Sequence, residues 1–186
     1  MPTYIAMLRG INVSGHKTIK MQDLRTLCNK LVYRDVQTYV QSGNIVFETR
    51  KGTPANLSKQ ISKAIHDAYG FELPVFIRTL EEMQRIISVN PFLKEKNIDQ
   101  SKLHVTFLSE TPQTDSLREL GKVPAGQDRF HTVHNEIYLH CPNGYGRTKL
   151  SNTMIEKTLS VAATTRNWRT CNTLLEMASR LTTGRN

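Results

Sequence analysis

The segment Val36-Gln-Thr-Tyr-Val-Gln-Ser-Gly-Asn-Ile-Val-Phe47 decides the fold. Two runs of strand-forming residues, Val36–Val40 and Ile45–Phe47, flank the four residues Gln41-Ser-Gly-Asn44. Ser, Gly and Asn are typical of tight turns, and Gly43 can adopt the positive φ angle that such turns require. The segment therefore predicts a β-hairpin.

A helix is predicted on each side of this hairpin, with a further strand beyond each helix. Apolar residues at helical spacing predict a first helix over about 21–31 and a second one that starts near Pro54 and ends at Gly70. The short apolar runs Tyr4–Leu8 and Leu73–Ile77 are typical of strands. The resulting order, β-α-β-β-α-β, is the split βαβ arrangement of ferredoxin-like domains.

The second half of the chain shows the same order of elements, except that its last strand is missing. A polar connector near 90–100 separates the halves, and a final helix from about Trp168 to Arg180 takes the place of the missing strand. The other predicted elements are a helix over 80–87, a strand Leu103–Leu108, a helix Thr114–Leu120, a hairpin of Gln127–Val133 and Glu136–His140, and a helix Thr153–Ser160 with Thr153 and Glu156 as its capping box. We therefore predict an α+β fold of two ferredoxin-like subdomains, 1–90 and 91–186, with an extra C-terminal helix.

Composition places the chain among ordinary globular proteins. Its 186 residues are 38% hydrophobic and 22% charged, and no apolar run reaches the roughly 20 residues of a membrane span. The N-terminus lacks a secretory pattern, and the three scattered cysteines make no disulfide framework. We therefore expect a cytoplasmic protein without a membrane partner, in which Cys28 and Cys171 are buried on apolar helix faces.

The net charge of +9 is concentrated at the two ends of the chain. Residues 1–20 contain three bases and no acid, and residues 142–186 contain seven bases and two acids. The long segment between them has a net charge of only +1. Such an excess attracts polyanions or phosphorylated ligands, although solubility alone is a sufficient reason for it.

The segment Gly10-Ile-Asn-Val-Ser-Gly15-His-Lys17-Thr18 nearly matches the phosphate-binding P-loop, but His16 makes it one residue too long. No strand supplies an obvious Walker B aspartate. We interpret it as a loop of glycines and polar groups beside a bound anion, or as a plain connection.

Two C-terminal segments carry further anion-binding candidates. In Gly144-Tyr-Gly-Arg-Thr-Lys149, Tyr145 is suited to stack on a base while Arg147 and Lys149 hold phosphate; a solvated loop is the alternative.

Thr164, Thr165, Arg166 and Asn167 stand at the predicted start of the last helix. Capping explains the Thr and Asn residues, whereas an arginine at that position opposes the helix dipole unless it binds an anion. Arg166→Ala is accordingly expected to leave stability in plain buffer nearly unchanged.

The group His131, His134, His140 and Cys141 is the strongest candidate for a metal site. Neighbouring strand residues point to opposite faces of a sheet, so this spacing favours ordinary hairpin histidines. No metal and no cofactor is predicted, and no catalytic residue can be named.

Together, the motifs at Tyr4–Gly15, Tyr39–Phe47, Gly146–Ser151 and Thr164–Trp168 resemble the bacterial family known as domain of unknown function 1697. The resemblance runs from about Tyr4 to Leu175. It implies two ferredoxin-like subdomains, and it supplies no reaction, cofactor or catalytic residue. Its signature positions are Arg9, Asn12, Ser42, Asn44, Arg147, Lys149, Arg166, Asn167 and Trp168.

The main functional hypothesis is a module that binds a phosphate-bearing partner, either nucleic acid or a nucleotide or other phosphorylated small molecule. The contacts would come from the loops at 9–18 and 144–149 and from the helix start at 164–168. The candidate anion-binding residues are Arg9, Asn12, Lys17, Ser42, Asn44, Arg147, Lys149, Thr165, Arg166 and Asn167. The alternatives are an enzyme with Arg9, Arg147 and Arg166 as clamps for a small anionic substrate, and a protein-interaction domain without a ligand.

Overall fold

The computed structural model describes residues 1–50 and 52–183. Lys51 and residues 184–186, including the Arg185 counted in the C-terminal charge excess, lie outside this description. The chain forms two compact units, one of Met1–Arg85 with 173–183 and one of Ile86–Asn172. The division into two folding domains, 1–90 and 91–186, stays a prediction.

The first unit contains a four-stranded antiparallel sheet with the strand order β2-β3-β1-β4. This order confirms the ferredoxin-like arrangement expected around the hairpin. The elements are β1 (Thr3–Leu8), α1 (Met21–Lys30), β2 (Arg34–Tyr39), β3 (Asn44–Glu48), α2 (Pro54–Tyr69) and β4 (Val75–Thr79).

The core of this unit lies between one face of the sheet and its two helices. Alternate residues of β1, Tyr4, Ala6 and Leu8, pack in one apolar cluster with Leu24 of α1 and Ile61 of α2. The helical spacing of the apolar residues in α1 and α2 therefore produces the core face on which the sheet rests.

The second unit repeats the topology with the strand order β6-β7-β5-β8. The elements that follow β4 along the chain are α3 (Leu80–Ser88), β5 (Leu103–Leu108), α4 (Thr114–Gly121), β6 (Arg129–Val133), β7 (Glu136–His140), α5 (Asn152–Leu159), β8 (Ala163–Asn167) and α6 (Trp168–Thr183). The described part of the chain also contains 3-10 turns at Pro91–Lys94, Gln100–Lys102 and Tyr145–Arg147.

The expectation that the last strand is missing was wrong, because Ala163–Asn167 forms β8. It pairs antiparallel with β5, so that Thr165 lies opposite Thr106 and Arg166 lies opposite Val105. The segment is polar, which resembles a helix cap, yet its two threonines are β-branched and fit a pleated strand. The C-terminal helix is confirmed, and it follows the strand instead of replacing it.

The predicted capping box of α5 was also wrong. Ser151 is the N-cap, and its Oγ accepts a hydrogen bond from the Met154 N–H at 3.3 Å. Glu156 instead accepts from the Ala163 N–H through Oε1 at 3.0 Å. The Thr153–Glu156 spacing matched the motif, but Ser151 already satisfies the first turn of the helix.

Cys28 and Cys171 are buried helix residues, as expected, and Cys141 is buried as well. Burial raises the pKa of the Cys28 and Cys171 thiols to about 12. Because the thiolate is the reactive form, we expect both to react with 5,5′-dithiobis(2-nitrobenzoate) far more slowly in the native protein than in guanidinium chloride. Labelling at equal rates in both states would contradict their placement.

None of the helices within the described residues has both the length and the apolar character needed to cross a bilayer.

Candidate functional site

The first loop and the hairpin tip meet in the first unit, a question that the sequence left open. Asn12 Nδ2 donates to the carbonyl oxygens of Ile19, at 3.0 Å, and of Gln41, at 2.8 Å. Asn12 Oδ1 accepts from the Ile19 N–H at 2.9 Å. The Asn12 amide thus closes its own loop and fastens it to the hairpin.

The signature residues of the hairpin form the turn itself. Asn44 Nδ2 donates to the Tyr39 carbonyl oxygen and to Ser42 Oγ at 2.9 and 3.0 Å. Gly43 has a φ angle of 77°, and a Cβ atom there would lie 2.6 Å from Ile11 Cδ1 and 2.9 Å from Leu8 Cβ. Only glycine fits this backbone and this contact without displacement of its neighbours.

The basic residues near the first loop also contact the protein. Lys17 Nζ donates to the Glu72 carbonyl oxygen at 2.8 Å and lies 5.7 Å from the centre of the Phe71 ring. Arg9 is half-buried, and its backbone N–H donates to the Pro74 carbonyl oxygen. A ligand at Lys17 would therefore compete with contacts that already exist.

In the second unit, the segment after β7 is an ordered turn. The Gly144 N–H donates to the Cys141 carbonyl oxygen at 2.9 Å, and Gly144 has a φ angle of 89°. The Thr148 N–H donates to the Tyr145 carbonyl oxygen at 3.1 Å, which closes the 3-10 turn Tyr145–Arg147. Backbone hydrogen bonds thus fix the positions from which Arg147 and Lys149 project.

A hydroxyl of β8 anchors this turn to the sheet. Thr165 Oγ1 accepts a hydrogen bond from the Tyr145 hydroxyl at 3.0 Å and donates to Asn152 Oδ1 at 2.7 Å. The Thr106 hydroxyl oxygen also lies 2.7 Å from Thr165 Oγ1. One hydroxyl has one donor and two acceptor positions, so these three contacts complete its hydrogen bonding.

Tyr145 is also stacked on His104 of β5, with ring centres 4.9 Å apart. Burial lowers the pKa of the His104 imidazole below its ordinary value, which favours the neutral ring in this contact. Tyr145 therefore uses one ring face and its hydroxyl in contacts within the protein, and its stacking on a base stays a prediction.

Arg166 lies within β8 and is not at a helix N-terminus, which corrects its expected position. Its side chain is buried, and Nη1 donates to Thr164 Oγ1 at 2.8 Å and to the Thr165 carbonyl oxygen at 3.0 Å. Asn167 caps α6, because its Oδ1 accepts from the Thr170 N–H at 2.8 Å.

Arg147 and Lys149 are the exposed cations of the turn. Within residues 1–50 and 52–183, neither side chain has a hydrogen bond or an ion pair. They line a surface cleft of about 280 Å³, which we call the basic cleft. Its other lining residues are Pro124, Ala125, Gly126, Gln127, Asp128 and Asn143.

Two other exposed cations of this unit, Arg118 and Lys122, are already paired with acids. Arg118 bonds to Asp115 at 2.9 Å, and Lys122 bonds to Glu119 at 2.6 Å. A ligand can therefore bind the cations of the basic cleft without breaking an ion pair, whereas the cations of α4 are already paired.

Gln127, Asp128 and Asn143 line the cleft although no sequence motif pointed to them. The glycines Gly126 and Gly144 indicate turns at both places. Nothing in a one-dimensional pattern, however, shows that the two turns face the same cleft.

The histidines of the β6–β7 hairpin contact side chains of their own unit. The His131 ring centre lies 4.9 Å from that of Phe92, and Arg129 Nη2 lies 3.2 Å from His140 Nδ1. Arg129 also makes a bidentate ion pair with Glu95, at 2.8 and 2.9 Å, which lowers the pKa of the Glu95 carboxyl.

Comparison with known proteins places the chain in a family. The sequence model described as "Protein of unknown function (DUF1697)" matches residues 1–138, and no curated protein sequence matches the chain. The solved structure of the conserved bacterial protein SP0830 from Streptococcus pneumoniae is similar, with a TM-score of 0.75 and 20% sequence identity. That similarity covers 95% of this chain and 98% of SP0830, and it shows a shared fold. The family match includes the first loop and the hairpin, and it spans well over half of the chain, which therefore belongs to the DUF1697 family of proteins of unknown function.

Proposed function

We propose that the protein binds a phosphate-bearing partner at the basic cleft. The observation that carries this proposal is the exposure of Arg147 and Lys149, without a partner in the described residues, on a turn held by backbone hydrogen bonds. A guanidinium and an ammonium two residues apart supply several N–H donors to one group of anionic oxygens. Hydrogen bonds between charged groups are about twice as strong as neutral ones.

The other candidate residues make structural contacts and do not line the basic cleft. Asn12, Ser42 and Asn44 hold the first loop and hairpin together, and Asn167 caps a helix. Thr165 positions Tyr145, and through it the turn that contains Arg147. The partner is a nucleic acid or a phosphorylated small molecule, and both present the phosphate oxygens that the two cations would bind.

The double variant Arg147→Ala/Lys149→Ala should weaken phosphate binding strongly. We expect inorganic pyrophosphate to bind at least about 10-fold more weakly, because one charge-assisted hydrogen bond contributes roughly 1.5 to 3 kcal/mol. Isothermal titration calorimetry measures this affinity. The melting temperature should stay unchanged, because both side chains are exposed.

The matched control is Arg118→Ala/Lys122→Ala, which removes the same two charges from exposed sites of the same unit. It should bind pyrophosphate as the wild type does. An equal loss in both double variants would show a general charge effect and would refute the proposed site.

A single-stranded RNA probe tests the nucleic-acid class by fluorescence anisotropy. If the partner is a polyanion, the logarithm of the affinity falls by about 0.7 per phosphate contact for each tenfold rise in salt. A flat salt response would reject the polyanion.

A further inference from the structure

We infer that the basic cleft is built for a small phosphorylated polyol, such as a sugar phosphate, and not for a nucleic acid strand. This inference rests on the proposed function, because it assigns the phosphate of that ligand to Arg147 and Lys149. It adds a second group of contacts, from residues to which no role has been given so far.

The second group consists of one carboxylate and two amides. Asp128 is partly exposed, and its carboxylate has no hydrogen bond or ion pair within the described residues. Asn143 Nδ2 donates to Gln127 Oε1 at 3.3 Å, and neither the side-chain carbonyl of Asn143 nor the amino group of Gln127 has another partner among the described residues. A carboxylate and amides beside a cation pair suit a ligand with hydroxyls next to its phosphate, since hydroxyls both donate and accept hydrogen bonds.

The Asp128 carboxylate disfavours the binding of a nucleic acid in the cleft. A strand that crosses the cleft would bring further phosphates towards Asp128, and like charges repel. Single-strand binding also relies on aromatic side chains on which the bases stack. None of the described residues that line the cleft is aromatic, and Tyr145 is held by His104 and Thr165.

The sheets do not offer an alternative platform for bases. Every residue of β1 is buried, and only His104 of β5 is partly exposed. These are the central strands of their sheets, and open sheet faces are what four-stranded RNA-binding domains use for stacking.

The size of the cleft fits one small molecule. Its volume of about 280 Å³ lies just below the range of roughly 300 to 1,000 Å³ found for ligand sites, which restricts an occupant to a small molecule. A phosphate bound to Arg147 and Lys149 together with a short chain or ring of hydroxyls reaching Asp128 would occupy such a volume.

Asp128→Asn separates the two groups of contacts, because it keeps the shape of the side chain and removes its charge. We expect ribose 5-phosphate to bind this variant about 10-fold more weakly than the wild type, since a hydrogen bond to a charged acceptor becomes a neutral one. Inorganic phosphate should bind as well as before or more tightly, because a nearby negative charge is lost. Isothermal titration calorimetry with both ligands measures the two changes.

The control Asp115→Asn removes an exposed carboxylate elsewhere in the unit and should change neither affinity. The inference is overturned, and the proposed function stands, if ribose 5-phosphate binds the wild type no more tightly than phosphate does. The same holds if Asp128→Asn raises the affinity for both ligands equally. Tighter binding of a 12-nucleotide RNA than of ribose 5-phosphate would also overturn it. If Arg147→Ala/Lys149→Ala leaves phosphate binding intact, the proposed function fails, and the inference fails with it.

Discussion

Trp168→Ala is expected to lower the free energy of unfolding by about 3 to 5 kcal/mol, as truncations of large core side chains do. Trp168 begins α6 and is only 5% exposed. Its removal deletes a large buried apolar surface and leaves a cavity. Guanidinium chloride denaturation followed by far-ultraviolet circular dichroism measures the loss, because the variant lacks the only tryptophan of the chain.

Trp168→Phe is the conservative control, and it should keep most of the stability because an aromatic ring still fills part of the site. Arg169→Ala, at the exposed neighbouring position, should change stability by less than about 0.5 kcal/mol. A loss below about 1 kcal/mol for Trp168→Ala would contradict the burial of this side chain.

Arg166→Ala is expected to lower the free energy of unfolding by about 3 kcal/mol or more without any ligand. Arg166 is 7% exposed and donates from Nη1 to two acceptors, Thr164 Oγ1 and the Thr165 carbonyl oxygen. Hydrogen bonds to a charged group contribute about 1.5 to 3 kcal/mol each, and a truncated donor leaves buried acceptors unsatisfied. The same denaturation experiment measures the change, which is the reverse of the stability-neutral result expected from the sequence alone.

Arg166→Lys tests whether the planar guanidinium matters. Its free energy of unfolding should lie between those of the wild type and the alanine variant. Arg169→Ala again serves as the exposed control on the same segment. Unchanged stability of Arg166→Ala, with loss of a phosphate-induced rise in melting temperature, would instead support a ligand-binding arginine.

Local patterns were sufficient to predict most of the fold. The hairpin around Gly43 and the helices α1 and α2 follow from turn chemistry and apolar spacing, which act over a few residues. β8 was not predicted because its sequence consists mainly of threonines and an arginine and lacks the usual apolar strand pattern. Such residues are buried in a sheet only when hydrogen bonds satisfy them, and those partners lie far away in sequence, as Thr106 does for Thr165.

The candidate site was predictable only in part, for the same physical reason. Arg147 and Lys149 stand out by charge and by their glycine-rich surroundings. Asp128 comes from a different turn, and His104, which stacks on Tyr145, lies on β5 in the sheet of the second unit. Contacts between distant segments depend on the packed structure, and no spacing rule in the sequence encodes them.

The three hydrogen bonds of Thr165 Oγ1 bear on the entropy of binding. They hold Tyr145 against the sheet before any ligand arrives, so the backbone of the turn has little freedom left to lose. Immobilising a long side chain on binding costs about 0.5 to 1.5 kcal/mol. For a ligand at Arg147 and Lys149 this ordering cost is confined to two side chains, roughly 1 to 3 kcal/mol in total. Association there should accordingly proceed in a single kinetic phase, without a slow step for loop closure.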